Sequence, residues 1–93
     1  MKDQLRLLRE CFRNEIPAIV FQGDDSCTAE VLEAAIEIYR KHGATKEFLY
    51  DLGLLLQDVK AYQKENPHRV TLADLSPVET ELVREEMLEK GLL

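Results

Sequence analysis

The sequence predicts a mainly α-helical fold: a four-helix arrangement around a central αα-hairpin, with at most a short two-stranded β ribbon. Apolar residues recur every three or four positions in four segments, which is the helical period. Residues 43–45 leave only a short link between the second and third segments. Ser76-Pro77 with Glu79 forms a capping box before the last one. The 93 residues suit one domain, spanning residues 1–93.

The third segment predicts the central helix, over residues 46–66. Thr45 is a suitable N-cap, and Asn66-Pro67 ends the helix because the residue before proline avoids the α region. One face of this helix is apolar: Phe48, Leu52, Leu55, Leu56, Val59 and Tyr62. The preceding helix is predicted over residues 28–42, with Gly43 as a left-handed C-cap. Because the link is short, the two helices should pack antiparallel as an αα-hairpin.

The first helix is predicted over residues 3–14. Its apolar stripe consists of Leu5, Leu8 and Phe12, and its opposite side carries three arginines, Arg6, Arg9 and Arg13. The arginines have two interpretations. They form a solvated face, or they form a docking ridge for an acidic partner such as the C-terminal helix of a second copy.

Residues 18–21, Ala-Ile-Val-Phe, are β-branched and aromatic and suit a short strand. A strand needs a partner, which would be residues 69–72 or the same segment of another molecule. The equally supported alternative is an apolar extended linker lying on the helices. After the turn that follows, Asp25 or Ser26 is expected to cap the second helix.

The capping box starts the last helix, predicted over residues 77–90. Its apolar residues point in two directions, Val78 with Leu82 and Val83 with Met87. We therefore expect its first two turns to dock on the core and its end to be loosely held or to contact something else.

A patch on the back of the central helix suggests an interaction surface. Tyr50, Leu54 and Ala61 lie opposite its packed stripe. Either the first or last helix covers them, so that the central helix is enclosed on both sides, or they form a patch for a partner or a second copy. The predicted surface combines apolar and acidic residues of two helices: Tyr50, Leu54, Val83, Met87, Glu81 and Glu85.

Charge and composition exclude several classes of partner. The net charge is −6, and the first 14 residues, with four basic and two acidic side chains, form the only basic stretch. Direct nucleic-acid binding is therefore not expected, and no apolar run is long enough to span a membrane. The charged start, MKDQLRLLRE, does not resemble a signal peptide. Two cysteines are too few for a disulfide framework, so we expect a reduced, cytoplasmic protein.

Catalytic chemistry has little support in the sequence. Asp24 and Asp25 are adjacent carboxylates that could hold a divalent cation, but turn and capping roles explain them as well. No nucleophile elbow, phosphate-binding loop or zinc motif occurs. We predict no catalytic residue, metal or cofactor, and a protein that is not an enzyme.

A resemblance covers residues 18–67. Five short motifs lie within it: Ala18-Ile19-Val20-Phe21, Gly23-Asp24-Asp25, Lys41-His42-Gly43, Ala61-Tyr62-Gln63 and Asn66-Pro67. In these motifs and their order the chain resembles small bacterial proteins of accessory genomes and mobile elements, a domain of unknown function. The resemblance implies a bacterial cytoplasmic origin, and it assigns no activity.

The functional hypothesis is a small acidic module that binds another protein or a second copy of itself. One alternative is an acidic mimic of nucleic acid that blocks a DNA-binding enzyme through the glutamates of the last helix. Another is a small metal-dependent enzyme that uses Asp24 and Asp25.

Overall fold

The structure is a computed structural model that describes residues 4–93. This part of the chain contains four α-helices and one short 3₁₀ turn, so the mainly α prediction is confirmed. The helices are α1 (Gln4–Arg13), α2 (Thr28–Lys41), α3 (Lys46–Glu65) and α4 (Pro77–Glu89), and the 3₁₀ turn is Pro67–Arg69. The predicted start of α1 at residue 3 lies outside the described residues.

The predicted αα-hairpin of α2 and α3 is confirmed, and it holds the core. Leu52 and Val59 of α3 are its buried apolar residues. Near the link, the rings of Tyr39 and Phe48 meet edge to face with centroids 5.1 Å apart. The amphipathic pattern was enough to predict this pair because its contacts are local in sequence.

The link between α2 and α3 reverses the chain at a glycine. Gly43 has φ 81°, a left-handed conformation that costs glycine little. The amide of Ala44 donates to the carbonyl of Tyr39, and that of Gly43 donates to the carbonyl of Arg40, which is a Schellman C-cap. The Thr45 side chain then accepts a hydrogen bond from the amide of Phe48 at 3.1 Å and caps α3. Both predicted caps are confirmed.

The turn before α2 is held by residues distant in sequence. The Gln63 side chain donates hydrogen bonds to the carbonyls of Gly23 and Asp25, both at 3.0 Å. The amide of Ser26 donates to the carbonyl of Thr71, and Asp25 forms an isolated parallel bridge with Thr71. We call this set of contacts the Gln63 clamp. It fixes residues 22–28 against the end of α3.

Of the two alternatives for residues 18–21, the strand is not formed: these residues are exposed and non-helical, and the single bridge to Thr71 is made by Asp25 instead. The predicted cap of α2 is wrong. The N-cap position of α2 is Cys27, whose side chain makes no capping hydrogen bond, so neither Asp25 nor Ser26 is the cap. Asp25 is used differently, because its carboxylate stabilises the turn itself.

Helices α1 and α4 extend away from the hairpin. From Gln4 onward, neither packs against another helix. The predicted docking of the first two turns of α4 is therefore wrong: Val78 and Leu82 are exposed. The predicted capping box is present, with the amide of Glu79 donating to Ser76 Oγ at 3.2 Å and the amide of Ser76 donating to Glu79 Oε1 at 3.3 Å. Local capping thus defines where α4 begins without placing it on the core.

The dimensions of the chain reflect these two projecting helices. Its radius of gyration is 16.5 Å. A compact chain of this length has a radius of gyration of about 12 Å. Its accessible surface is 8044 Å². A compact monomer of the same mass exposes about 5500 Å². About 2500 Å² of surface is therefore exposed that a compact monomer of this size would bury.

Candidate interaction surface

The predicted patch on the back of α3 is exposed. Tyr50 is 69% exposed and Leu54 36%. Together with Lys46, Glu47 and Asp51 they line a shallow depression near the start of the helix. Of the two alternatives for this side, cover by the first or last helix is wrong, because neither α1 nor α4 contacts α3 within residues 4–93. We call Tyr50 and Leu54 the α3 patch.

The predicted residues of α4 do not form one surface. Val83 and Met87 are one turn apart; Val83 is 41% exposed and Met87 is half-buried. Glu81 and Glu85 are exposed and project from the other side. Since α3 and α4 make no contact with each other, none of these four residues adjoins the α3 patch within residues 4–93.

The apolar stripe of α1 is an exposed surface that sequence reasoning did not include in the interaction site. Phe12 is 90% exposed, and Leu5 and Leu8 are also exposed. Of the α1 residues, only Cys11 is even half-buried. The amphipathic pattern showed the stripe; nothing local in the sequence showed that the hairpin leaves it uncovered.

The segment between α1 and the clamped turn continues this apolar surface. Ile16, Ile19, Val20 and Phe21 are all exposed, with Ile19 at 77%. Most large apolar side chains of small proteins lie inside, and single exposed ones need no explanation. The run of exposed apolar residues that continues from α1 through residue 21 is contiguous, and contiguous apolar patches of this kind often form interaction surfaces in other proteins.

Charge is distributed unevenly over the projecting helices. Helix α1 has three arginines and one glutamate, and α4 has five glutamates and one arginine. At the start of α4, hydrogen bonds from the side chain and the backbone of Ser76 hold the pKa of Glu79 below its usual range. That carboxylate therefore remains charged at neutral pH, in the first turn where a negative charge complements the helix dipole.

Asp24 and Asp25, the candidate metal ligands, lie in the clamped turn. Asp25 is buried, and its Oδ1 accepts hydrogen bonds from the amides of Cys27 at 3.0 Å and Ala73 at 3.3 Å. Asp24 lines a shallow depression with Gln22, Gly23 and Tyr62. Within residues 4–93, no three His, Cys, Asp or Glu side chains come together in a group that could hold a metal ion. The observed role of Asp25 is to join the turn to residue 73.

Comparisons with known proteins gave no relative: no protein-family model, curated protein or solved structure matches the chain. No helix in the described part of the chain is long and apolar enough to cross a membrane.

Proposed function

We propose that this protein is a non-enzymatic helical module that binds another protein chain. The observation that carries the proposal is the uncovered surface, about 2500 Å² more than a compact monomer of this mass exposes. Stable protein interfaces bury about 1200–2000 Å² in total, so the excess is large enough for one. Apolar residues contribute to this surface: Leu5, Leu8 and Phe12 recur at helical spacing on α1, and the non-helical residues 16–21 add exposed apolar side chains.

The α3 patch supplies a compact docking point. Tyr50 presents an apolar ring with a polar hydroxyl, a combination enriched at protein interfaces. Leu54 lies one helical turn away, and charged residues surround both in the shallow depression. An apolar centre with a polar rim is the usual anatomy of a binding surface.

The test is affinity purification from the source cell with two matched baits. Wild-type protein should retain a partner that Leu54→Lys loses, because a lysine would bring a charge into the apolar contact. The control is Ala34→Lys, which adds the same charge at an exposed position of α2 and should retain the partner. Equal recovery with Leu54→Lys and Ala34→Lys would contradict a role for the α3 patch.

A second candidate is an acidic mimic of nucleic acid, favoured by one observation. Glu81, Glu85, Glu86 and Glu89 are all exposed on α4, which packs on no other helix of the described chain. Capture of DNA-binding proteins that disappears as salt rises would support the mimic. Capture that persists at high salt would support apolar binding instead.

The third hypothesis, a metal-dependent enzyme at Asp24 and Asp25, has a direct test. Calorimetric titration with Mg²⁺, Mn²⁺ and Ca²⁺ would have to show saturable binding that Asp24→Ala removes. Since Asp25 Oδ1 already accepts two backbone hydrogen bonds, we expect no such binding.

The proposed site of action is the cytoplasm of a bacterium. Cys11 and Cys27 are both free thiols in the structure, which suits a reducing compartment. The bacterial origin rests on the resemblance alone and stays a prediction.

A further inference from the structure

We propose that the partner of α1 is α4 of a second copy, and that two copies exchange these helices reciprocally in a two-fold dimer. This inference rests on the proposed function, since it assigns a partner to part of the uncovered surface. It concerns a surface separate from the α3 patch, so the two can be tested independently.

Helix α1 offers an apolar stripe with a basic edge. Leu5, Leu8 and Phe12 share one side of the helix. Arg9 and Arg13 are one turn apart and flank this stripe, because Arg9 follows Leu5 by four residues; the prediction that they lie on the opposite side is wrong. Neither Arg9 nor Arg13 makes an ion pair within residues 4–93. The helix therefore presents two positive charges beside an uncovered apolar strip.

Helix α4 offers the complementary pattern. Val78 and Leu82 are 72% and 61% exposed and lie one turn apart. Glu81 and Glu85 lie beside them at the same spacing of four residues, and neither is in an ion pair in the described chain. Apolar contact between the two helices would bring the arginine pair of one against the glutamate pair of the other.

Symmetry explains why the occupant is a second copy. Both complementary surfaces belong to the same chain, yet its own α1 and α4 do not touch. A two-fold dimer satisfies both at once, because α1 of each copy meets α4 of the other. The non-helical residues 16–21 connect α1 to the Gln63 clamp and span at most about 20 Å when fully extended, which sets the reach of an exchanged helix.

The area agrees with this arrangement. Obligate homodimers bury about 2000–5000 Å² in total. Two chains that each cover part of an excess of about 2500 Å² reach that range. The same area on a single chain remains exposed to water.

Two charge-reversed full-length variants test the exchange. One carries Arg9→Glu with Arg13→Glu, and the other carries Glu81→Arg with Glu85→Arg. In each variant alone, both helix contacts join like charges, so the dimer dissociation constant measured by sedimentation equilibrium should rise on the order of 100-fold. In an equimolar mixture both contacts are complementary again, and a heterodimer of near wild-type affinity should form.

The control is Glu30→Arg with Asp58→Arg, which reverses two exposed charges on the hairpin and should leave the dimer intact. Circular dichroism checks that every variant keeps its helices. A monomeric wild-type chain, a dimer that ignores both reversals, or a mixture that fails to recover would each overturn the exchange. If the exchange fails while Leu54→Lys still loses its partner, the proposed function stands without it.

Discussion

Replacing Gln63 with alanine should loosen the turn that precedes α2. The Gln63 amide donates to two carbonyls, Gly23 and Asp25, at 3.0 Å each. Each such bond contributes a net 0.5–1.5 kcal/mol, so we expect the free energy of unfolding to fall by about 1–3 kcal/mol. Gln63→Glu should cost more at neutral pH, because its carboxylate would face two carbonyl oxygens with no proton to donate.

Urea denaturation followed by circular dichroism measures the loss. The matched control is Gln57→Ala on the same helix, where the glutamine is exposed and the change should cost little. Hydrogen exchange adds a local measurement: the amides of Ser26 and Thr71, which bond across the clamp, should exchange faster in the Gln63 variants. Equal stability of Gln63→Ala and Gln57→Ala, with unchanged exchange at both amides, would refute the clamp.

Three other predictions follow from single residues. Gly53→Ala should raise the free energy of unfolding by about 1 kcal/mol in urea denaturation, because Gly53 lies inside α3 with open space around it. Gly43→Ala should lower it by about 1–2 kcal/mol, because Gly43 has φ 81°. Effects of the same sign for the two substitutions would contradict this prediction. Leu52→Ala should lower the free energy of unfolding by about 2–4 kcal/mol, because it leaves a cavity at a buried position. Leu54→Ala, at an exposed position, should lower it much less. Equal losses of stability in the two variants would refute the assigned core. The Glu79 carboxylate stabilises the start of α4, and because its pKa is lowered, this contribution is fully present above the ordinary carboxyl pKa of 4.5. It should disappear as the pH falls through the lowered pKa. Amide hydrogen exchange in the first turn of α4 should show this pH dependence in the wild type but not in Glu79→Gln.

The sequence was a good guide wherever a structural feature depends on near neighbours. The hairpin follows from helical periodicity and a short link, and Thr45 and Gly43 follow from the chemistry of helix ends. The Ser76 capping box likewise needs only residues within four positions of each other. All of these are confirmed because no distant part of the chain competes with them.

The sequence was a poor guide to contacts across long separations. The Gln63 clamp joins residues about 40 positions apart, and no local pattern indicates that a helix-end glutamine will bind a turn. The choice between strand and extended linker for residues 18–21 stayed open for a related reason: the bridge to Thr71 forms at Asp25, which no local pattern indicates, so those residues have no paired neighbour. The exposure of α1 could not be inferred, and that of the α3 patch was only one of two alternatives, because amphipathic patterns show which side is apolar without showing what covers it.

The Gln63 clamp also bears on how the chain folds. Contacts between α2 and α3 close only a short loop, so the hairpin can form early and quickly. In this antiparallel hairpin the start of α2 lies beside the end of α3, so a formed hairpin already holds the turn at residues 22–28 near Gln63. The clamp then closes a much smaller effective loop than the separation of its partners along the chain suggests, and its cost in chain entropy is correspondingly low.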